Sequence, residues 1–287
     1  MPNLRDIRRR IRSVQSTQQI TKAMKMVSAA KLRRAQENMI EARPYSGKMK
    51  EVLESLAARC DQTAHPLLHL RPEKRVTAVI ITADRGLCGG FNTNIGRFAF
   101  QWMRDRAAEG VEVKVVLVGR KAVDLCRRRH LVSEKQWTGL FQKVHYDDAR
   151  DIAQFLMDSY IAEQTDAIYF IYNRFKSVIA QEIVAEKLLP VERREEAPSD
   201  LGPDYLYEPN MQALFETLLP KSVTIQVFQT LLESAAAEQA ARMTAMEAAT
   251  NNARDLIDRL TLYANRVRQA AITKEIIEIV SGAQALG

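Results

Sequence analysis

Two widely separated stretches of this 287-residue chain carry the same apolar rhythm. Near the start, Leu4, Ile7, Ile11, Val14, Gln18 and Thr21 fall at steps of 3, 4, 3, 4 and 3, with Met24, Val27, Ala35 and Met39 resuming the pattern on a slightly rotated face. Near the end, Ala253, Ile257, Leu260, Ala264, Val267 and Ala271 step by 4, 3, 4, 3 and 4. A 3-4 alternation makes the narrow seam of a coiled coil, not the broad stripe of a helix lying on a sheet. Roughly 75 helical residues at the C-terminal end reach on the order of 110 Å, so that helix needs a partner along its length. The spacing predicts an antiparallel pair formed with the N-terminal helix. Pro44 and Pro220 each remove a backbone donor and clash with the preceding turn, which predicts a kink or break at both. The alanine-rich stretch 233–250 combines high helix propensity with little bulk, which predicts a stiff, thin segment with a smooth outer surface.

Between the helices the period changes. Val76–Ile81 and Val111–Val118 are short β-branched runs suited to strands buried on both faces, and Ala167–Tyr172 is a third. Helical stretches at 92–108, 121–129 and 147–163 alternate with them, which predicts parallel strands joined by crossover helices. Ser177–Ala185 adds an antiparallel edge strand. The fold class is therefore α/β: a long antiparallel coiled coil of the two terminal helices with a small Rossmann-like domain inserted. The expected segments are a helix over 1–59, a linker over 60–75, the α/β domain over 76–192, a loop over 193–209 and a helix over 210–287.

Charge adds one feature. The net charge is +7, yet residues 1–50 hold 13 Lys and Arg against 3 Asp and Glu, leaving the remainder slightly acidic. A basic arm suits an anionic partner, and a solvated helix face is the plainer alternative. Three cysteines at unrelated spacings suit reduced thiols in a cytosolic compartment. The basic start lacks the apolar core of a secretory signal, and no run approaches the length of a membrane span.

Candidate chemistry is sparse. Asp84-Arg85-Gly86-Leu87-Cys88-Gly89-Gly90-Phe91-Asn92 follows the first strand, where α/β folds bind phosphates, but it lacks both the Gly-Lys-Ser/Thr ending and the GxGxxG spacing. A tight turn presenting backbone to a neighbour is the better reading. Arg85 beside Cys88 favours a lowered thiol pKa, with no histidine near in sequence to act as base. His65 and His69 have metal-pair spacing, but Pro66 opposes a helix there. Arg127-Arg128-Arg129 complements the dipole at a helix C-terminus. Glu275 and Glu278 read as surface or partner contacts. No catalytic set, cofactor site or metal site is expected.

Four blocks in order resemble the gamma subunit of F-type ATP synthases. They are Ile272-Thr273-x-Glu275-x-x-Glu278-x-x-x-Gly282-Ala283, the run Gln19–Lys31, the turn Asp84–Asn92, and Tyr205-Leu206-Tyr207-Glu208-Pro209. The resemblance implies a non-catalytic rotor shaft that couples ion-driven rotation of a membrane c ring to the catalytic beta subunits. Its implied partners are the alpha and beta subunits, the epsilon subunit and the c ring, with no cofactor and no inserted membrane segment. Carried over by residue, Met24 and Lys25 face an acidic beta-subunit loop, and Arg268 and Gln269 hydrogen-bond the beta-subunit catch loop. Tyr205, Tyr207 and Glu208 belong to the foot on the c ring and epsilon. The loop 193–209 has no cysteine, unlike the plastid members with a dithiol switch, which implies a bacterial protein on the cytoplasmic face of the inner membrane. The alternative carried beside this reading is a nucleic-acid-binding coiled coil using the basic arm.

Overall fold

A computed structural model describes residues 4–59, 65–191 and 211–284. Helix α1 is Leu4–Arg59, and the terminal helix α5 is Met211–Gln284. Between them lie β1 (Arg75–Ile81), α2 (Phe91–Ala108), β2 (Glu112–Val118), α3 (Arg120–Arg127), β3 (Lys135–Trp137), α4 (Tyr146–Ile161), β4 (Ala167–Phe175) and β5 (Gln181–Leu189). The chain forms two compact units, one of residues 1–28 with 243–287 and the other of residues 29–242.

In the larger unit the sheet runs β3-β2-β1-β4-β5, with β3, β2, β1 and β4 parallel and β5 antiparallel at the edge. Alternation along the strands serves two cores. Val79 and Ile81 of β1, Val116 and Val118 of β2, and Phe170 and Tyr172 of β4 pack with Ile152, Leu156 and Tyr160 of α4 and with Leu219, Val223, Val227 and Leu231 of α5. Ala78, Ile80, Val115, Leu117 and Ile171 point the other way, toward Phe91, Ile95 and Ala99 of α2, Ala122 and Cys126 of α3, and Ala237 of α5. Helices on both faces explain why the strands read as continuous apolar runs. Strand order reverses between β1 and β4, which makes their carboxyl ends the crevice where open α/β sheets usually take ligands.

A carboxylate pins this unit. At one end of the sheet, Asp166 accepts from the Arg75 and Lys74 N–H groups at 2.8 and 3.2 Å and from the Arg75 guanidinium at 3.1 Å. Burial pushes its pKa up, but the hydrogen bonds and charge of Arg75 outweigh that and hold it below the ordinary carboxylate value. A folded pKa below the unfolded one means stability present above pH ~4 and lost as pH falls through the folded value. Asp166→Asn should therefore cost about 2 kcal/mol at pH 7 and progressively less as pH falls below about 4, measured by urea denaturation across that range.

The structure departs from the expectations at several points. Neither Pro44 nor Pro220 breaks its helix: α1 and α5 run through them, and Thr224 Oγ1 donates to the Pro220 carbonyl at 2.9 Å. Val27 is 56% exposed, and the α1 seam does not rotate. It continues through Ser28 in the smaller unit and through Leu32, Ala35 and Met39 in the larger, keeping the 3-4 alternation. A small hydroxyl at 28 hid that continuity. Ala236, Ala237 and Ala240 are fully buried in the larger unit, so this part of α5 is thin because it is packed close, not because it presents a smooth outer face. Strand β3 had no signal, since three residues cannot show a period. β4 runs on to Phe175, and β5 begins at Gln181 instead of Ser177.

Candidate functional site

In the smaller unit the two helices pair antiparallel. Lys25 Nζ lies 2.5 Å from Glu247 Oε1, and Thr250 Oγ1 donates to Thr21 Oγ1 at 2.8 Å, so partners advance on one helix as they retreat on the other. The buried positions are small or modest: Ile7, Thr21 and Ser28 on α1, and Met246, Ala253 and Ala264 on α5. Continuing that register sets Leu4 opposite Val267. From Arg268 through Ser281 every residue of α5 is exposed, Ala271 included, because described α1 has ended. The predicted seam thus stops one heptad step early.

That bare stretch contains six of the residues singled out from sequence. Arg268, Gln269, Ile272, Thr273, Glu275 and Glu278 are all exposed on it, with Lys274 Nζ 3.5 Å from Glu278 Oε1. Ile276, Ile277, Ile279 and Val280 are also at least half exposed. An unpaired helix with apolar residues around its circumference is a surface that a partner must cover. Gly282 and Ala283 continue the helix. Met24 is half-buried beside the pair, and Lys25 is already engaged by Glu247. An ion pair this exposed contributes at most about 1 kcal/mol, so Lys25 is readily exchanged to another carboxylate. Tyr205, Tyr207 and Glu208, with the whole loop 193–209, lie outside the described residues.

The turn after β1 belongs to the larger unit and is a structural joint. Asp84 accepts from Arg120 N–H at 3.0 Å, Gly139 N–H at 2.8 Å and Phe141 N–H at 3.2 Å, tying together the segments after β1, β2 and β3. Asn92 Oδ1 accepts from Ala83 N–H at 2.9 Å, while its Nδ2 donates to Cys88 Sγ at 3.1 Å. Leu87 takes a left-handed φ of 64°, which a turn this sharp demands. The backbone is indeed presented to a neighbour: Arg242 of α5 donates to the Gly86 carbonyl at 3.2 Å. Arg242 also sits 2.6 Å from Glu238 Oε1, and both side chains are almost wholly buried.

Cys88 departs from its expectation. Burial raises its thiol pKa, and the cation that opposes this is Arg242, not Arg85, with Glu238 adding to the rise. A buried neutral thiol is no nucleophile. His65 caps a short 3-10 turn, accepting from Leu67 N–H through Nδ1, and burial lowers its pKa. No group of three or more His, Cys, Asp or Glu side chains among the described residues is placed to hold a metal. Among the described residues no helix is long and apolar enough to cross a membrane. The crevice at the carboxyl ends of β1 and β4 is therefore flanked by the chain's own α5, through Arg242 on Gly86 and Glu233 on Tyr172. Sequence reasoning missed Glu238 and Arg242. The available signal was a Glu-Arg pair at i, i+4 inside an otherwise alanine-dominated run.

Comparison with known proteins agrees along the whole length. The family profile described as "ATP synthase" matches residues 3–286. The ATP synthase gamma chain of Geobacter sp. strain M21 is 49% identical over 286 residues, covering 100% of this chain and 99% of that one. That of Pelotomaculum thermopropionicum is 51% identical, covering 100% of both. Among solved structures, the chain is similar to one from the central stalk and c ring of the Tetrahymena thermophila mitochondrial ATP synthase, at 27% identity and a TM-score of 0.59, covering 80% of this chain and 99% of that one. A chain from the rotor of the Euglena gracilis mitochondrial enzyme shares the fold at 19% identity and a TM-score of 0.67, covering 94% and 98%. The nucleic-acid alternative draws no support from these likenesses. With four sequence blocks, a helix pair and full-length identity near one half all agreeing, the chain belongs to the ATP synthase gamma-chain family.

Proposed function

We propose that this chain is the central shaft of an ATP synthase, a non-catalytic subunit that carries rotation from the membrane sector to the catalytic beta subunits. The observation that carries the reading is full-length identity of 49–51% to ATP synthase gamma chains. The exposed end of α5 beyond Val267 supplies the physical means. A shaft that touches three equivalent beta subunits unequally gives each a different contact energy, and that difference shifts their conformational equilibria in turn. The chain is a peripheral component of the complex. We place it on the cytoplasmic face of a bacterial inner membrane, with the loop 193–209, through Tyr205, Tyr207 and Glu208, meeting the c ring and epsilon.

Exposure supports the contact assignments that the family resemblance implies. Arg268 and Gln269 are the first α5 residues past the end of the paired region, so their polar ends are free to bond a beta-subunit loop. Lys25, held among the described residues by Glu247, can exchange that carboxylate for one on a passing beta subunit.

The chain alone should show no ATPase. Mixed with alpha and beta subunits it should support steady hydrolysis. Arg268→Ala with Gln269→Ala should lower that hydrolysis at least tenfold while the complex still assembles, because each lost charged or amide hydrogen bond is worth on the order of 1–3 kcal/mol. Undiminished hydrolysis in an assembled double variant would remove these two residues from the contact.

A further inference from the structure

The larger unit carries a basic patch that the rotor reading does not use. Helix α3 ends at Arg127, with Arg128 and Arg129 following in the turn, and all three are exposed together with His130. Arg129 lies over the Phe100 ring at 4.0 Å from its centroid, which seats this turn on α2. Phe100 shares its α2 face with Arg97 and Arg104 at helical spacing, and both are exposed. Five exposed arginines therefore lie on two neighbouring helical segments, α2 and the end of α3, and none of Arg97, Arg127 and Arg128 joins a salt bridge among the described residues. A neighbouring carboxylate, Asp124, is bonded to Lys121 at 2.8 Å, with the charges of Arg127 and Arg128 acting on it more weakly.

A helix dipole does not account for the cluster. Its effect is confined to the last turn of α3, which is eight residues long, and Arg97 lies in the first half of a different helix. Beside the arginines the chain also exposes apolar side chains: Val132 is 90% exposed and Leu131 36%. Clustered guanidinium forks suit phosphate oxygens. An adjoining protruding Val-Leu pair suits the shallow apolar boundary just beneath them.

We propose that this patch, Arg97, Arg104, Arg127, Arg128, Arg129 and Val132, docks on anionic phospholipid headgroups of the membrane surface. The proposal rests on the rotor reading, which holds the chain against a membrane sector. Charge complementarity selects the partner: each basic side chain near an anionic surface strengthens attraction severalfold, and the effect fades within a Debye length.

The test uses the chain assembled with alpha and beta subunits, so failure to assemble bears on the rotor reading and not on the patch. The purified complex is sedimented with vesicles of phosphatidylglycerol and phosphatidylcholine, and with phosphatidylcholine alone, at low salt. Binding to the anionic vesicles should fall about thirtyfold in Arg127→Ala/Arg128→Ala. It should fall severalfold in Val132→Asp and stay unchanged in Lys74→Ala/Lys143→Ala, which removes the same charge elsewhere on this unit. Equal binding to neutral vesicles, no binding to either, or an equal loss in the lysine control overturns the proposal. So does patch-dependent binding of a short RNA without binding of vesicles.

Discussion

Arg242→Ala is expected to cost the larger unit about 3–5 kcal/mol, more than any surface change in the chain. The Arg242 side chain is buried, with one Nη atom at 2.6 Å from Glu238 Oε1 and at 3.2 Å from the Gly86 carbonyl. Truncation strands the Glu238 carboxylate, whose second oxygen has no hydrogen-bond partner among the described residues. Burial already raises the Glu238 pKa, Arg242 is the main force opposing that rise, and Asp84 adds to it while Lys31 pulls weakly the other way. Without Arg242 the folded pKa climbs further above the unfolded one, so the folded state binds the extra proton. Stability is then lost as pH rises from about 4.3 toward the folded pKa, and the variant should be less impaired at pH 5 than at pH 8. Trp102 and Trp137, the chain's two tryptophans, both lie in this unit and report its urea unfolding. Replacing the pair together, Glu238→Leu with Arg242→Met, should recover most of the loss, because two desolvated charges vanish at once. A cost below about 1 kcal/mol for the single change would show that the pair is not buried as described.

The same residues show where sequence reasoning reached and where it stopped. The strands of the sheet were legible because burial on both faces leaves runs such as Val76–Ile81 with no polar interruption. The antiparallel pair was legible because a 3-4 alternation survives small and polar seam residues. Where the seam passed through Ser28, however, the eye followed Val27 to the solvent side. Continuous helices through Pro44 and Pro220 were not legible, since one lost hydrogen bond is tolerated in helices as long as 56 and 74 residues. The end of α5 was legible as a pattern, while its bareness depends on where described α1 stops, which local periodicity does not encode. Glu238 and Arg242 needed three dimensions: Gly86, whose carbonyl Arg242 reaches, lies 156 residues away. Alanine-rich surroundings suggested a surface, and close packing of those alanines is what buried the pair.

The second large effect should come from Gly119→Ala, at the point where β2 turns into α3. Gly119 has φ 94° and ψ 140°, a region essentially closed to residues with a side chain. A Cβ there meets the Thr82 carbonyl oxygen at 2.1 Å, an impossible approach to backbone that cannot swing aside. Both strands are committed at this spot. Thr82 N–H donates to Val118 O at 2.9 Å, Gly119 N–H donates to Trp137 O at 2.8 Å, and Ala122 N–H donates to Thr82 Oγ1 at 2.7 Å. Relieving the clash means parting the carboxyl ends of β1 and β2 or releasing β3, whose ladder is only three residues long. The cost should reach at least about 3 kcal/mol, with Trp137 fluorescence shifting as its contact with Phe155 loosens. Gly139→Ala provides the comparison, since φ is 88° there but nothing lies within 4 Å of the added carbon. Left-handed strain alone should cost about 1 kcal/mol at Gly139. The gap between the two substitutions then measures how tightly the ends of β1 and β2 are closed, and equal costs would mean that the sheet yields freely at this joint.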